Sequence, residues 1–208
     1  MIEKSAQKIY AYMSKYINVD AELADVYKYG IEITISSALN ILLVMAISVI
    51  LRSPLSGIAH LCGLFFLRSF CGGYHADSYL KCNSLMVIFF VLSYIVRKLL
   101  IYFDLTDFHL MSSLLMLAFL PIYAFAPVKN KHKPLTERKA KKCRILSIVI
   151  YIILSLLGLY LAFFGYLYGS IIIITLIEIS GSVLFEKLRQ RRIPTVQRIP
   201  LPMVNCFH

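Results

Sequence analysis

Between two apolar stretches the chain runs Arg68-Ser-Phe-Cys-Gly-Gly-Tyr-His-Ala-Asp-Ser-Tyr-Leu-Lys-Cys82. Thiols, an imidazole, a guanidinium and paired glycines lie within fifteen residues there, and nowhere else in the sequence. A thiol becomes a nucleophile when a base or a nearby positive charge favours its thiolate. Gly72-Gly73 breaks a helix and lets backbone approach a ligand closely. The chemistry to expect is thiol-based acyl transfer.

Spacing constrains the pairing of His75 with Cys82. Seven residues on one continuous helix separate them by about 10.5 Å along its axis, too far for a catalytic hydrogen bond of about 3 Å. If the two cooperate, the chain around His75 folds back against the start of the following helix. Cys82 then sits in that helix's first turn, where the helix dipole favours a thiolate. Residue types alone leave alternatives open. Cys71 is a rival nucleophile four residues from His75. Cys82 also suits a small buried position at a helix start, His75 an interfacial loop and Arg68 a charged anchor.

The elements that must position these groups belong to a membrane. The 208 residues are 59% hydrophobic and 16% charged, with a mean hydropathy of +0.74, far from the balance of a soluble domain. A water-soluble enzyme and a disordered chain are both excluded as leading readings. About twenty apolar residues cross the hydrocarbon core. Spans are predicted at Ile33 to Leu51, Leu55 to Leu67, Leu85 to Phe103, Leu110 to Val128, Ile145 to Phe164 and Tyr166 to Phe185, with a tight turn near Gly165. The second is short or re-entrant. Arg97 and Lys98, near the far end of the third, are expected to snorkel to the interface. Ile9, Tyr12, Met13 and Tyr16 recur at helical spacing, predicting an amphipathic interfacial helix over Ser5 to Ile17. The expected fold is an all-α integral membrane protein in a single polytopic domain, 1–208. It divides into an interfacial region at 1–30, a transmembrane core at 33–185 with the chemical segment 68–82 and a basic loop at 129–144, and a basic tail at 186–208.

Charge orients this layout. With the N-terminus inside, nineteen of the 22 Lys and Arg face the cytoplasm and only Arg52, Arg97 and Lys98 lie outside. Both termini and the 68–82 segment are then cytoplasmic in a multi-pass cell-membrane protein. The same bias accounts for the net charge of +11 without nucleic acid, which is not expected as a partner; anionic lipid is. Residues 1–30 hold no apolar signal core, and five irregularly spaced cysteines do not make a disulfide framework.

The pattern Arg68-x3-Gly72-Gly73-x-His75-Ala76-x5-Cys82, inside six predicted spans, resembles the accessory gene regulator B family. Ala126-Pro127 followed by Lys133-Pro134-Leu135 resembles that family's basic loop after the fourth span. The resemblance implies a membrane cysteine endopeptidase of peptide quorum sensing. Cys82 is then the nucleophile and His75 its base, with Arg68, Gly72 and Gly73 in support and Cys71 dispensable. It further implies a pheromone precursor with an acidic C-terminal segment as partner, with Lys129, Lys131 and Lys133 holding those acids. Cleavage through a Cys82 thioester would lead to a thiolactone ring. No cofactor is implied, and a homodimer is left open. Asp77 is either an orienter of His75 or a cap of the next helix.

Other groups have weaker patterns. His60, Cys62, Cys71, His75 and Cys82 supply zinc-type donors without a zinc spacing, and His60 and Cys62 fall on opposite helix faces. No metal is expected. Glu178 lies in mid-span, where a carboxylate is costly; it pairs across helices, lines a cavity or is hydrogen-bonded in neutral form. With Arg52 and His60 it frames the alternative of a small transporter or peptide exporter.

Overall fold

The computed structural model describes residues 2–16, 24–74, 78–128 and 136–192. Within them the chain is helical, in the order α1 (Ile2–Met13), α2 (Ala24–Ile50), α3 (Pro54–Cys71), α4 (Tyr79–Tyr102), α5 (Phe108–Phe125), α6 (Glu137–Phe163) and α7 (Leu167–Arg192). Six of these, α2 to α7, are long and apolar enough to cross a membrane. The protein is an all-α, multi-pass membrane protein.

The second predicted span grows from the run Leu55 to Leu67 into the 18-residue helix α3. At 1.5 Å per residue it measures about 27 Å, just under the hydrocarbon thickness. Pro54 opens it, where a missing N–H costs nothing. Helices α6 and α7 are longer than their apolar cores. Arg138, Lys139, Lys141, Lys142 and Arg144 are therefore on the first turns of α6 rather than in a loop. Lys187, Arg189, Arg191 and Arg192, within the expected basic tail, likewise continue α7. The turn at Gly165 is as expected: Tyr166 N–H reaches Leu161 O and Gly165 N–H reaches Ala162 O, with Gly165 at φ 76°, a Schellman closure of α6.

Helix α7 is the centre of the bundle. Of its most apolar 18-residue stretch 61% is buried, against 17–33% in the other five spans. It packs on α3, α4, α5 and α6, burying Ile171, Ile173, Leu176, Ile179 and Val183 almost completely. A helix apolar all round belongs in such a place. Small residues let α6 come close: a Cβ on Gly169 would stand 2.5 Å from the Ala162 backbone nitrogen and 2.8 Å from the Gly158 carbonyl. The outer helices turn Leu42, Ile50, Phe65, Met116 and Leu156 outward, as a lipid-facing surface requires.

Helix α1 packs on α2, but through Ala6, which is fully buried, with Tyr10 and Met13 partly covered. The apolar face expected from spacing stays open at Ile9, Tyr12 and Tyr16, as a helix lying on a membrane surface requires, and only Met13 of that set is partly covered. The inward face is set by the small Ala6, which admits α2, and by Tyr10, whose ring carries Lys28 Nζ at 5.2 Å. Arg97 departs from expectation. It does not snorkel but is buried, donating to Ser56 Oγ at 3.4 Å and lying 4.9 Å over the Tyr94 ring.

Candidate functional site

The segment joining α3 to α4 is held from three sides. Helix α3 ends because Gly72, at φ 73°, donates its N–H to Arg68 O at 3.1 Å. Gly73 follows at φ 135°, a backbone state side chains resist. Space is as limiting as torsion: a Cβ on Gly72 would lie 3.0 Å from Val128 O, and one on Gly73 2.8 Å from Ser182 Oγ. From the end of α5, Val128 N–H donates to Cys71 O at 3.0 Å.

Arg68 is the internal strut. Its Nη2 donates to the carbonyl of Tyr74, and its Nη1 contacts Met86 Sδ at 3.5 Å. Met86 stands one turn beyond Cys82 on α4, so this side chain bridges the end of α3, the glycine turn and the start of α4. The third support is α7. The Tyr74 ring packs edge-on against Phe185 at 5.5 Å, and the Arg189 guanidinium sits 5.0 Å over it. Arg189 is fixed in turn by Glu186, with Nε to Oε2 at 3.0 Å.

Cys82 occupies the first turn of α4, as its spacing predicts. Ser78 caps the helix, accepting from Lys81 N–H at 3.3 Å through its side chain and from Cys82 N–H at 3.0 Å through its carbonyl. The cap is therefore Ser78. The same turn is tied to α2 twice: Tyr79 donates to Glu32 Oε2 at 2.7 Å, and Ser36 donates to Asn83 Oδ1 at 3.0 Å. The two candidate thiols differ in access. Cys71 is fully buried, with Sγ donating to Gly72 O at 3.2 Å, whereas Cys82 is partly exposed. His75 and Asp77 lie outside the described residues, as do Lys129, Lys131 and Lys133. Arg68, Gly72, Gly73 and Cys82 are thus brought to one end of the bundle.

Sequence reasoning misses the contribution of α7. Ser182, Phe185 and Arg189 recur at helical spacing on one face, and Glu186 precedes Arg189 by three residues. That spacing marks a helix face with an ion pair, but nothing in it points to the glycine turn. Mid-membrane, the polar residues join helices. Ser93 donates to Glu178 Oε2 at 2.8 Å. His60 pairs through Nδ1 with Thr175 Oγ1 at 2.9 Å; that hydroxyl donates to Ile171 O, which assigns the proton to Nδ1. His60 is buried and Cys62 exposed, and no group of three His, Cys, Asp or Glu gathers for a metal among the described residues.

Comparison with known proteins bears on what this arrangement belongs to. A putative AgrB-like protein of Clostridium perfringens (strain SM101 / Type A) is 26% identical over 170 residues, covering 77% of this chain and 78% of the relative. Putative AgrB-like protein 1 of C. perfringens (strain 13 / Type A) is 28% identical over 183 residues, 86% of this chain and 93% of the relative. The accessory gene regulator protein B of Staphylococcus epidermidis is 25% identical over 160 residues, 76% of this chain and 80% of the relative. No solved structure matches. The family model described as Accessory gene regulator B matches residues 6–184, from α1 almost to the end of α7, and the chain belongs to that family.

Proposed function

We propose that this chain is a membrane-embedded cysteine endopeptidase that matures a pheromone precursor peptide for quorum sensing. The observation that carries the reading is Arg68 spanning the glycine turn to Tyr74 O while reaching Met86, one turn beyond the accessible Cys82 on α4. One side chain thereby fixes the backbone at Tyr74, just before His75, and ties it to α4 one turn beyond Cys82. The buried Cys71, engaged with Gly72 O, fits a packing role.

In this mechanism His75 takes the Cys82 proton and the thiolate attacks the scissile carbonyl. The developing oxyanion needs backbone donors; Gly72 N–H is committed to Arg68 O, which leaves Gly73 N–H from the glycine pair. His75 returns its proton to the leaving amine. The C–N bond breaks, the acidic C-terminal piece departs, and Cys82 retains the rest as a thioester. A cysteine of the precursor then attacks this thioester, transferring the acyl group sulfur to sulfur, closing a thiolactone and freeing Cys82. A water-poor site favours that exchange over hydrolysis. Lys129, Lys131 and Lys133 would hold the acidic segment, and the charge bias favours a cytoplasmic position for this chemistry and both termini.

The test is co-expression with the precursor peptide, following cleavage and acyl-enzyme by mass spectrometry. Cleavage is expected to survive Cys71→Ser and to vanish in Cys82→Ser and His75→Ala, with any adduct on Cys82. Product formation by Cys82→Ser would sink the mechanism and bring the transporter alternative forward.

A further inference from the structure

Arg97 lies fifteen residues beyond Cys82 on α4, about 22 Å along the helix, near the opposite pole of the bundle. It is only 5% exposed, yet Ser56 Oγ is the acceptor it reaches, at 3.4 Å, and its Nε is buried without a partner. No carboxylate among the described residues forms an ion pair with Arg97. A guanidinium does not deprotonate, and a buried unpaired charge is strongly unfavourable. The fold does not leave this cation in a dry core, however. Arg97 lines an open concavity of about 400 Å³ that also contains Arg52, Ser53 and Ser56. The first residues of α3 and α7, Pro54 and Leu167, line it too. Two helix N-termini, each carrying positive dipole, therefore meet two arginines in one hollow.

We propose that this hollow binds a phosphate group, supplied by the headgroup of an anionic lipid or by free phosphate. The charged and dipolar features of the hollow carry the sign for an anion, set beside Leu55, Tyr166, Leu167 and Tyr168. Ser53 and Ser56 hydrogen-bond each other at 2.6 Å, so that pair keeps one hydroxyl proton to offer; with the Arg97 and Arg52 guanidinium groups it suits a tetrahedral anion with several oxygens better than a planar carboxylate. The concavity is too large for a halide alone and has room for a headgroup. It opens where α3 and α7 begin, at the end of the bundle away from Cys82. The bound anion supplies the counter-charge that Arg97 lacks and ties the α2–α3 and α6–α7 connections together.

Native mass spectrometry of the full chain in detergent tests this, titrating phosphatidylglycerol, phosphatidylcholine and, separately, inorganic phosphate. Wild type is expected to retain phosphatidylglycerol, with affinity falling at least tenfold in Arg97→Gln and about threefold in Arg52→Gln. Displacement of the lipid by inorganic phosphate at millimolar concentration would assign the site to the free anion; resistance to it would assign it to the lipid. Equal binding by wild type and both variants would overturn the proposal. If Arg97→Gln does not fold, unchanged binding by Arg52→Gln overturns it alone.

Discussion

Arg68 donates to the carbonyl of Tyr74 across the two glycines that end α3. The side chain and the backbone it holds are six residues apart, so the turn is closed by one of its own preceding residues. A hydrogen bond to a charged donor contributes about 1.5–3 kcal/mol, more than most. Arg68→Ala is expected to lower precursor cleavage at least tenfold while the protein still inserts. Arg68→Lys retains the charge near Cys82 but not the two-armed contact with Tyr74 O and Met86, and should recover only part of the rate. Cleavage assays in proteoliposomes, normalised to membrane-inserted protein, check this. Full activity of Arg68→Ala would remove the strut from the mechanism.

Gly73 is constrained twice, by its φ of 135° and by Ser182 Oγ, which would stand 2.8 Å from an added Cβ. Gly73→Ala should cost roughly 1–3 kcal/mol and reduce cleavage. Adding Ser182→Gly removes the collision but not the torsional strain, so the double variant should regain stability only partly. Thermal unfolding in detergent distinguishes these: complete rescue would mean that space alone, and not backbone conformation, demands glycine.

Tyr74 is held between Phe185 and Arg189 of α7. An exposed cation–π contact contributes about 0.5–1 kcal/mol. Arg189→Ala is therefore expected to slow cleavage several-fold, and it also lowers stability, because the buried Glu186 loses its ion-pair partner and keeps only Gln190 as donor among the described residues. Arg189→Lys should be milder because the charge can still reach the ring. An effect on expression rather than rate would place Arg189 in insertion instead.

How much of this is legible in the sequence follows from the range of the interactions. Periodicity and apolar length locate every span, because a helix in lipid satisfies its own backbone and needs no distant partner. The place of Cys82 in a first turn follows from the sequence on the condition that His75 folds back to meet it. What stays hidden is long-range. Ser182 lies over a hundred residues from Gly73 and Val128 over fifty from Cys71, and no local pattern joins them. Charge is equally ambiguous on its own. Runs of Lys and Arg signal loop and tail, yet at 137–144 and 187–192 they extend helices into the polar zone, where they are good helix formers. Residue type alone points Arg97 to the interface, whereas Ser56 and Tyr94 draw it inward.

Glu178 separates the two function classes. Its Oε2 accepts from Ser93 Oγ at 2.8 Å, joining α4 to the central helix. In a peptidase this is a helix–helix contact far along α4 from Cys82, so an isosteric amide should replace it. Glu178→Gln keeps an oxygen to accept from Ser93 and is expected to hold cleavage within about twofold, whereas Glu178→Leu leaves the Ser93 hydroxyl without its acceptor. Such interhelical hydrogen bonds contribute on the order of 0.6 kcal/mol in membranes, so even the leucine variant should lose stability modestly. A transporter that used this carboxylate as a charge along its pathway would behave differently, losing function in Glu178→Gln with stability intact. Measuring cleavage and unfolding temperature together on these two variants therefore reads the role of the group: activity that follows stability marks structure, and activity lost without it marks a pathway.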